Sequence, residues 1–576
     1  METRESFFDV VIVGGGVAGS STALLLKRRL PAARILIVEK SESFDRKVGE
    51  STVEISSYFF IRVLKLYDYF SRRQLPKQGF RYWFSNARAT TLKTASEVGP
   101  KQLARLPSFQ LDRQSLDEDL LALAEKEGVE VWRPATVSEL EIPENGAPNR
   151  LMVSVEGETR RISCRWAVDA SGRATLFARK FGERRFNSDH PTSAIWARFE
   201  NVRDMDGVDT SGTDPEDPWF RAVPVARRLA TNHFTGYGYW WWFIPLKNGE
   251  TSVGIVWDKR FLTPIDGDLT CRFRDLAGRN PLVTEMLAGA RMVDRDIRTL
   301  GHLPYFVDRC CGRGWAAVGD AAGFLDPFYS PGLDHLAFSA SDRVALIEKD
   351  LAGGGVTKGE IEESNRAFSQ FFQFFFEAIY RDKYVYMGDY DLMTAAFLLD
   401  TGLYYRVAVW PAYKKSSSTL RRPPFSDRRG KIGLVPLRFY NRRFVSIARR
   451  RLELGTYGKL NDGRRPALVG FSLGAANNAM IARGLAMWAR AEVENLLSYA
   501  RLPRRARAAR VGGRMRVVRA LRQDFRDFLT LLSTPPHRVV WDFLTGNFGP
   551  RRLRPRFQIR YRRLAAASRG NLLRNA

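Results

Sequence analysis

Apolar and polar positions change their spacing several times along this chain, and each change marks a different element. Residues 9–13, Asp-Val-Val-Ile-Val, close in an unbroken β-branched run, the pattern of a buried parallel strand. The spacing predicts a helix over residues 20–29 and a second buried strand at Ile35-Leu-Ile-Val38. An exit loop at 45–51 leads into a mainly helical stretch to about residue 73, then a strand at 80–84 and a helix at 115–127. Short strands follow at 130–132 and 135–137, with alternating strands around 151–155 and 160–168. From 193 to 257 strand patterns dominate, interrupted by a Gly-, Asp- and Pro-rich loop at 207–218, which suits a sheet covering a pocket. A buried strand at 314–318 precedes a helix from about 333 to 350 and a glycine break at 353–355. Residues 361–387 then place Phe368, Phe371, Phe372, Phe375 and Ile379 on one helical face, a stripe that reads as core rather than as a ligand box. Lys415-Ser-Ser-Ser-Thr419 and Arg421-Arg-Pro-Pro424 mark a linker before an arginine-rich tail.

The first strand, its turn and its helix supply the context that gives Gly14-Gly-Gly16-Val-Ala18-Gly19 chemical meaning. Gly14 permits the tight turn, Gly16 lets backbone approach a pyrophosphate, and Gly19 allows helix and strand to pack closely, with Ala18 in the same loop. The helix N-terminus then faces the phosphate charge. Glu39 ends the second strand, twenty residues past Gly19, where a carboxylate can hold a ribose 2′-hydroxyl. An adenine dinucleotide is expected.

Three further pieces narrow this to a flavin. Val168-Asp-Ala-Ser-Gly172 is a strand ending in an acid and a glycine turn, and Gly319-Asp320 puts an aspartate at a strand end, within reach of a ribityl or ribose hydroxyl. Arg113 stands where a guanidinium can approach the phosphates, and Val137 and Pro327 complete the expected cofactor contacts. This order resembles the FAD-dependent monooxygenase superfamily of the hydroxylase type. The resemblance implies an α/β fold: a Rossmann-like FAD-binding domain with a β-sheet substrate region and a mostly helical C-terminal extension. No second well-placed glycine motif serves a nicotinamide, so the flavin is expected to be reduced by transient NAD(P)H or by a separate enzyme.

Trp240-Trp-Trp242-Phe-Ile244-Pro245 fits W-x-W-x-I-P, and residues 324–332, Phe-Leu-Asp-Pro-Phe-Tyr-Ser-Pro-Gly, fit F-x-x-P-x-x-S-x-G. With Gly49-Glu50-Ser51, these segments resemble the flavin-dependent halogenases, the tryptophan halogenase family and its phenol/pyrrole-type branch, over roughly residues 5–390. The resemblance implies that Trp240, Trp242, Ile244 and Pro245 wall substrate off from flavin, that Gly49, Glu50 and Ser51 lie beside the isoalloxazine, and that Ser330 and Gly332 serve the halide. It also implies that Lys77 aims an electrophilic halogen. In that chemistry FADH2 and O2 give a flavin hydroperoxide, chloride or bromide is oxidised to hypohalous acid, and the lysine either hydrogen-bonds that acid or forms a chloramine. Two departures matter. Tyr329 stands where tryptophan halogenases have a glutamate, which suggests a substrate already activated, such as a phenol or pyrrole. Pro331 has no N–H in a turn whose backbone amides bind halide in the family.

Charge changes the picture only at the C-terminal end. The net charge is +28, yet residues 401–576 hold 39 Lys and Arg against 8 Asp and Glu, so the first 400 residues are close to neutral. Such asymmetry suggests an acidic partner or surface. It fits an acidic carrier protein presenting a tethered substrate, or an anionic membrane met by an amphipathic segment carrying Val517, Val518, Leu521, Phe525 and Leu529. Nucleic acid fits the charge but brings no recognised module and ranks last. Four cysteines make no disulfide framework, no apolar run spans a membrane, and residues 1–9 lack a signal peptide's pattern, so a cytoplasmic protein, peripheral on a membrane at most, is expected. Five scattered histidines exclude metal-ligand spacing.

The expected organisation is a catalytic domain at 1–390, its substrate sheet at about 190–300, and a basic helical region at 391–576. The expected activity is FADH2- and O2-dependent halogenation, chlorination above all, of an activated aromatic in secondary-metabolite biosynthesis. The rival enzyme is an FAD-dependent monooxygenase or reductase on a lipid-like or polyketide substrate. A rival of another class is a catalytically idle flavoprotein serving as a basic docking subunit.

Overall fold

A computed structural model describes residues 6–500 apart from 101–102, 144–145, most of 207–224, 427, 465–466 and 469–474. The loop expected at 207–218 and the amphipathic segment around 517–529 lie outside the described residues. Strand β1 (Ser6–Val13) leads into helix α1 (Val17–Arg29), and β2 (Ile35–Val38) returns parallel to β1, with Val11 opposite Leu36. The chain next forms β3 (Phe80–Phe84), α2 (Arg113–Lys126), β4 (Glu130–Trp132) and the long β5 (Glu158–Asp169). Strands β6 (Thr192–Glu200), β7 (Thr231–Gly236), β8 (Tyr239–Pro245) and β9 (Thr251–Asp258) follow, then β10 (Trp315–Ala317). Helices α3 (Gly332–Lys349), α4 (Lys358–Phe375) and α5 (Tyr390–Tyr404) come last among the elements that build the site.

The first sheet has a parallel core in the order β10-β5-β1-β2-β4. Val10, Ile12, Ile35 and Ile37 pack on one face with α1, while Val11, Val13, Leu36 and Val38 pack on the other. Both faces are covered, which is why β1 and β2 read as continuous apolar runs rather than alternations. Among the described residues the second sheet has nine strands and runs β6-β9-β8-β7-β3 through its centre. Here the period of two is explicit. Trp241 and Phe243 face a core closed by two helices (Leu269–Gly278 and Pro281–Leu287), whereas Trp240, Trp242 and Ile244 face the main core shared with α3 and α4.

Two local readings give way to packing. The compact unit that contains the sheets runs to Leu497, so α5 lies inside it and not beyond an edge at 390. Residues 415–424, expected as a linker, instead hold a short helical turn (Ser417–Arg421) packed on α3, with Leu420 and then Phe425 buried. A proline- and serine-rich stretch with two apolar anchors behaves as a wall, because burying Leu420 and Phe425 outweighs the loop-forming tendency of their neighbours.

Candidate active site

The glycine loop has the shape a dinucleotide needs. Gly14 has φ +107°, and a Cβ there would lie 2.6 Å from the Ala170 carbonyl oxygen. A Cβ on Gly19 would come within 1.8 Å of the Gly14 carbonyl oxygen, so only glycine lets α1 start this close to β1. The Glu39 carboxylate, 5% exposed, accepts from the Gly15 N–H at 2.6 Å and the Ser41 N–H at 2.9 Å, which fixes it at the strand end beside the loop. Opposite, Gly319 abuts Ala18, and its N–H donates to Ser339 Oγ at 2.9 Å. Burial raises the pKa of Asp320, and the charges of Arg173 and Arg113 oppose that rise. An acid facing two guanidiniums beside a glycine cradle fits the ribose, ribityl and phosphate groups of FAD.

Arg113, Asp169 and Val137 are each positioned by the protein itself. Arg113 forms a two-point ion pair with Asp117, Nε to Oδ1 at 2.9 Å and Nη2 to Oδ2 at 3.0 Å, and donates from Nη1 to the Val48 carbonyl at 2.9 Å. It therefore props the 45–51 loop, and a Cβ on Gly49 would meet it at 2.7 Å. The cation beside Gly16 is Lys47, 3.5 Å from Asp117, which sequence spacing gave no reason to select. Asp169 accepts from the Ser171 and Phe177 N–H groups, so it shapes the turn after β5. Val137 sits in the strand Ala135–Glu141 at a register shift, against the far-side core of the first sheet.

Beyond the loop, Glu50, 2% exposed, pairs with Arg198 of β6 at 3.0 Å, and burial pushes its carboxyl up to about 7. Ser51 is next, and its hydroxyl accepts from Lys77 Nζ at 2.7 Å. Lys77 also donates to the Thr52 carbonyl at 2.9 Å and lies 3.9 Å from the centre of the Phe80 ring. It is 2% exposed, and burial pulls its ammonium down to about 7. The residues placed by resemblance at 49–51 and 77 thus meet in space.

Lys77 lines a cavity of about 150 Å³. Its apolar wall includes Phe80, Phe338, Phe371, Phe375 and Phe397. The α4 stripe packs into the core as expected, and two of its rings, Phe371 and Phe375, also line the cavity. Helical periodicity reports which face is buried, not whether that face meets protein or a hollow. The polar groups at this wall include Glu54, Asp334, His335 and Asp400. Asp334 accepts from the Ser56 N–H and from Tyr404 OH, and burial lifts its carboxyl to about 7. None of these last four carried a sequence signal.

The 324–332 turn closes the inner end. Tyr329 and Ser330 have φ +71° and +53°, and Tyr329 OH donates to Asp400 Oδ2 at 3.0 Å, beside the buried Lys383 at 2.8 Å from the same oxygen. The Ser330 N–H donates to the Pro327 carbonyl, and Pro331 caps α3 with no N–H to offer, which leaves Gly332 as the amide at the helix start. Trp240 and Trp242 do not line the cavity; they stand behind it. Trp240 packs on Phe328 with ring centres 5.2 Å apart and donates from Nε1 to Tyr384 OH. Trp242 lies across Gly254, where a Cβ would meet its ring at 2.3 Å. Ile244 and Pro245 complete the strand.

Residues 8–231 match the FAD binding domain family. Across 419 residues the chain is 26% identical to a flavin-dependent halogenase of Dictyostelium discoideum, covering 66% of each. It is 30% identical over 267 residues to a flavin-dependent halogenase of Armillaria mellea, covering 43% of this chain and 48% of that one. The chain is thus similar to flavin-dependent halogenases, and it spans about half to two thirds of the length of the curated proteins it matches. Its fold is that of halogenase PltM in complex with phloroglucinol and FAD, at TM-score 0.62 and 16% identity over 84% of this chain and 98% of that one. The myxobacterial chondrochloren halogenase CndH has the same fold, at TM-score 0.54 and 21% identity over 83% and 97%. Among the described residues no helix is long and apolar enough to cross a membrane.

Proposed function

We propose that this protein installs a halogen, chlorine above all, on an activated aromatic of the phenol or pyrrole type. The observation that carries the proposal is Lys77: a buried lysine tied to the segment after Gly49-Glu50 and open to a cavity walled by aromatic rings. Reduced FAD, held by the 14–19 loop, Glu39 and Asp320, would supply the two electrons with which O2 oxidises halide to hypohalous acid. The chain's own residues do the rest. Gly332 offers its amide to the halide. Lys77, held by Ser51 and Thr52, presents its remaining N–H to the oxidised halogen and keeps it at the cavity wall. The layer of Phe328, Trp240 and Trp242 is fully packed, which keeps water from the reacting groups. The aromatic ring exchanges a hydrogen for the halogen, and water leaves. Phloroglucinol, the phenol held by PltM, supports a phenolic substrate.

A separate flavin reductase is the partner this chemistry requires. The excess positive charge after residue 400 supports docking of an acidic carrier protein or an anionic surface. Pro331 favours one second reading, an FAD-dependent monooxygenase, because it removes an amide from the halide turn. Purified protein with a flavin reductase, FAD, O2, labelled halide and a panel of phenols and pyrroles separates the two. A product carrying the halide label supports halogenation; a gain of one oxygen without label overturns it.

A further inference from the structure

Among the described residues, each titratable group deep in the Lys77 cavity has a protein partner except one. Lys77 is held by Ser51 and Thr52, Glu54 accepts from Tyr405 OH, and Asp334 accepts from Ser56 and Tyr404. Asp400 accepts from Tyr329, Lys383 and Tyr440. His335 differs. It lines the cavity at 4% exposure, and its Nε2 is buried with no hydrogen-bond partner among the described residues. Its ring is clamped edge-on by Phe371 and Phe372, each with centres 5.0 Å away, so it has little freedom to turn toward another protein group. Its backbone N–H is bonded to the Pro331 carbonyl, which seats it one turn into α3. A buried polar atom without a partner forfeits its hydration with nothing in return, and native interiors rarely leave one without a reason.

We propose that His335 is the hydrogen-bond partner for the hydroxyl of an aromatic ligand whose ring occupies the cavity. Burial drives its imidazolium down to about 3, so the ring is neutral and offers one acceptor and one donor. A hydroxyl is the group that suits it: the O–H satisfies the acceptor, whereas a bare hydrocarbon leaves it stranded and a carboxylate brings a charge into apolar walls. The inference rests on the cavity and adds the polar end of the substrate to the halogenase reading, but it concerns binding and needs no turnover.

The test uses the full chain loaded with oxidised FAD, without reductase or halide, and two fluorescent probes, 2-naphthol and its methyl ether, 2-methoxynaphthalene. The expected result is about tenfold tighter binding of the naphthol, a ratio worth roughly 1.4 kcal/mol. That preference falls to about onefold in His335→Leu and partly returns in His335→Gln, while FAD content and circular dichroism stay unchanged. Equal affinity of the native protein for both probes, binding of neither, or an undiminished preference in His335→Leu overturns the proposal. Because no halogen is transferred, a failed halogenation assay leaves this result standing, and a failed binding result leaves halogenation open. Where His335→Leu alters the fold, the ratio measured in Phe371→Leu, which keeps the imidazole, serves as the packing control, and loss of preference there too overturns the proposal.

Discussion

Lys77 Nζ donates to the Ser51 hydroxyl across 2.7 Å, which ties the cavity lysine to the segment that follows Gly49-Glu50. Lys77→Ala is expected to keep FAD and lose at least 100-fold in halogenation rate, with Ser51→Ala intermediate, measured by labelled-halide incorporation at matched FAD content. Stability moves the other way. The native lysine titrates at about 7 and the unfolded one at its ordinary value of 10.5, so between them the unfolded chain binds more protons and stability rises with pH. The cost of the buried ammonium is complete below pH 7. Lys77→Met should therefore stabilise the protein by about 2 kcal/mol at pH 6, a gain that vanishes toward pH 10, read from urea unfolding at both pH values.

Asp334 gives the opposite slope. Its carboxyl is raised from 3.8 to about 7 by burial, so between those values the unfolded chain sheds a proton that the native state keeps, and stability falls as pH rises. Asp334→Asn keeps an acceptor for Ser56 or Tyr404 without the charge. It is expected to match the native protein near pH 4 and to exceed it by on the order of 2 kcal/mol at pH 8.

Gly19→Ala tests the cradle. Its Cβ would overlap the Gly14 carbonyl oxygen at 1.8 Å, and backbone must move to admit it. FAD affinity measured by flavin fluorescence should fall at least tenfold, with about 1–3 kcal/mol of stability lost to overpacking.

Pro331→Ser restores an amide at the start of α3. A several-fold lower KM for halide is expected, read from halide-dependent product formation. An unchanged halide KM would show that Gly332 alone carries the halide contact.

Gly254→Ala probes the tryptophan layer. The Trp242 indole lies over Gly254 and donates to Ser252 Oγ at 3.1 Å, so an added methyl lifts the ring from the sheet. Uncoupled consumption of reduced flavin should increase severalfold relative to halogenated product, with about 1–3 kcal/mol lost in thermal unfolding.

What the sequence determined by itself was everything that depends on neighbours along the chain. The strand, glycine turn and helix of residues 9–29 are local, and their steric demands leave few alternatives to a dinucleotide loop. The W-x-W-x-I spacing is likewise local: a period of two sends Trp240, Trp242 and Ile244 to one face and Trp241 and Phe243 to another. Tertiary structure alone decided what each buried face meets. The α4 stripe was legible as core, but only the fold brings Phe371 and Phe375 to the wall of a hollow as well. Arg113 was legible as a cation near the phosphates, but that Asp117, one helical turn on, and Val48 would hold it is decided by the fold. The cavity joins residues 54, 77, 334, 400 and 425, whose meeting no spacing encodes, because the energy of closing such loops is repaid by burial across the whole unit and not by any one segment.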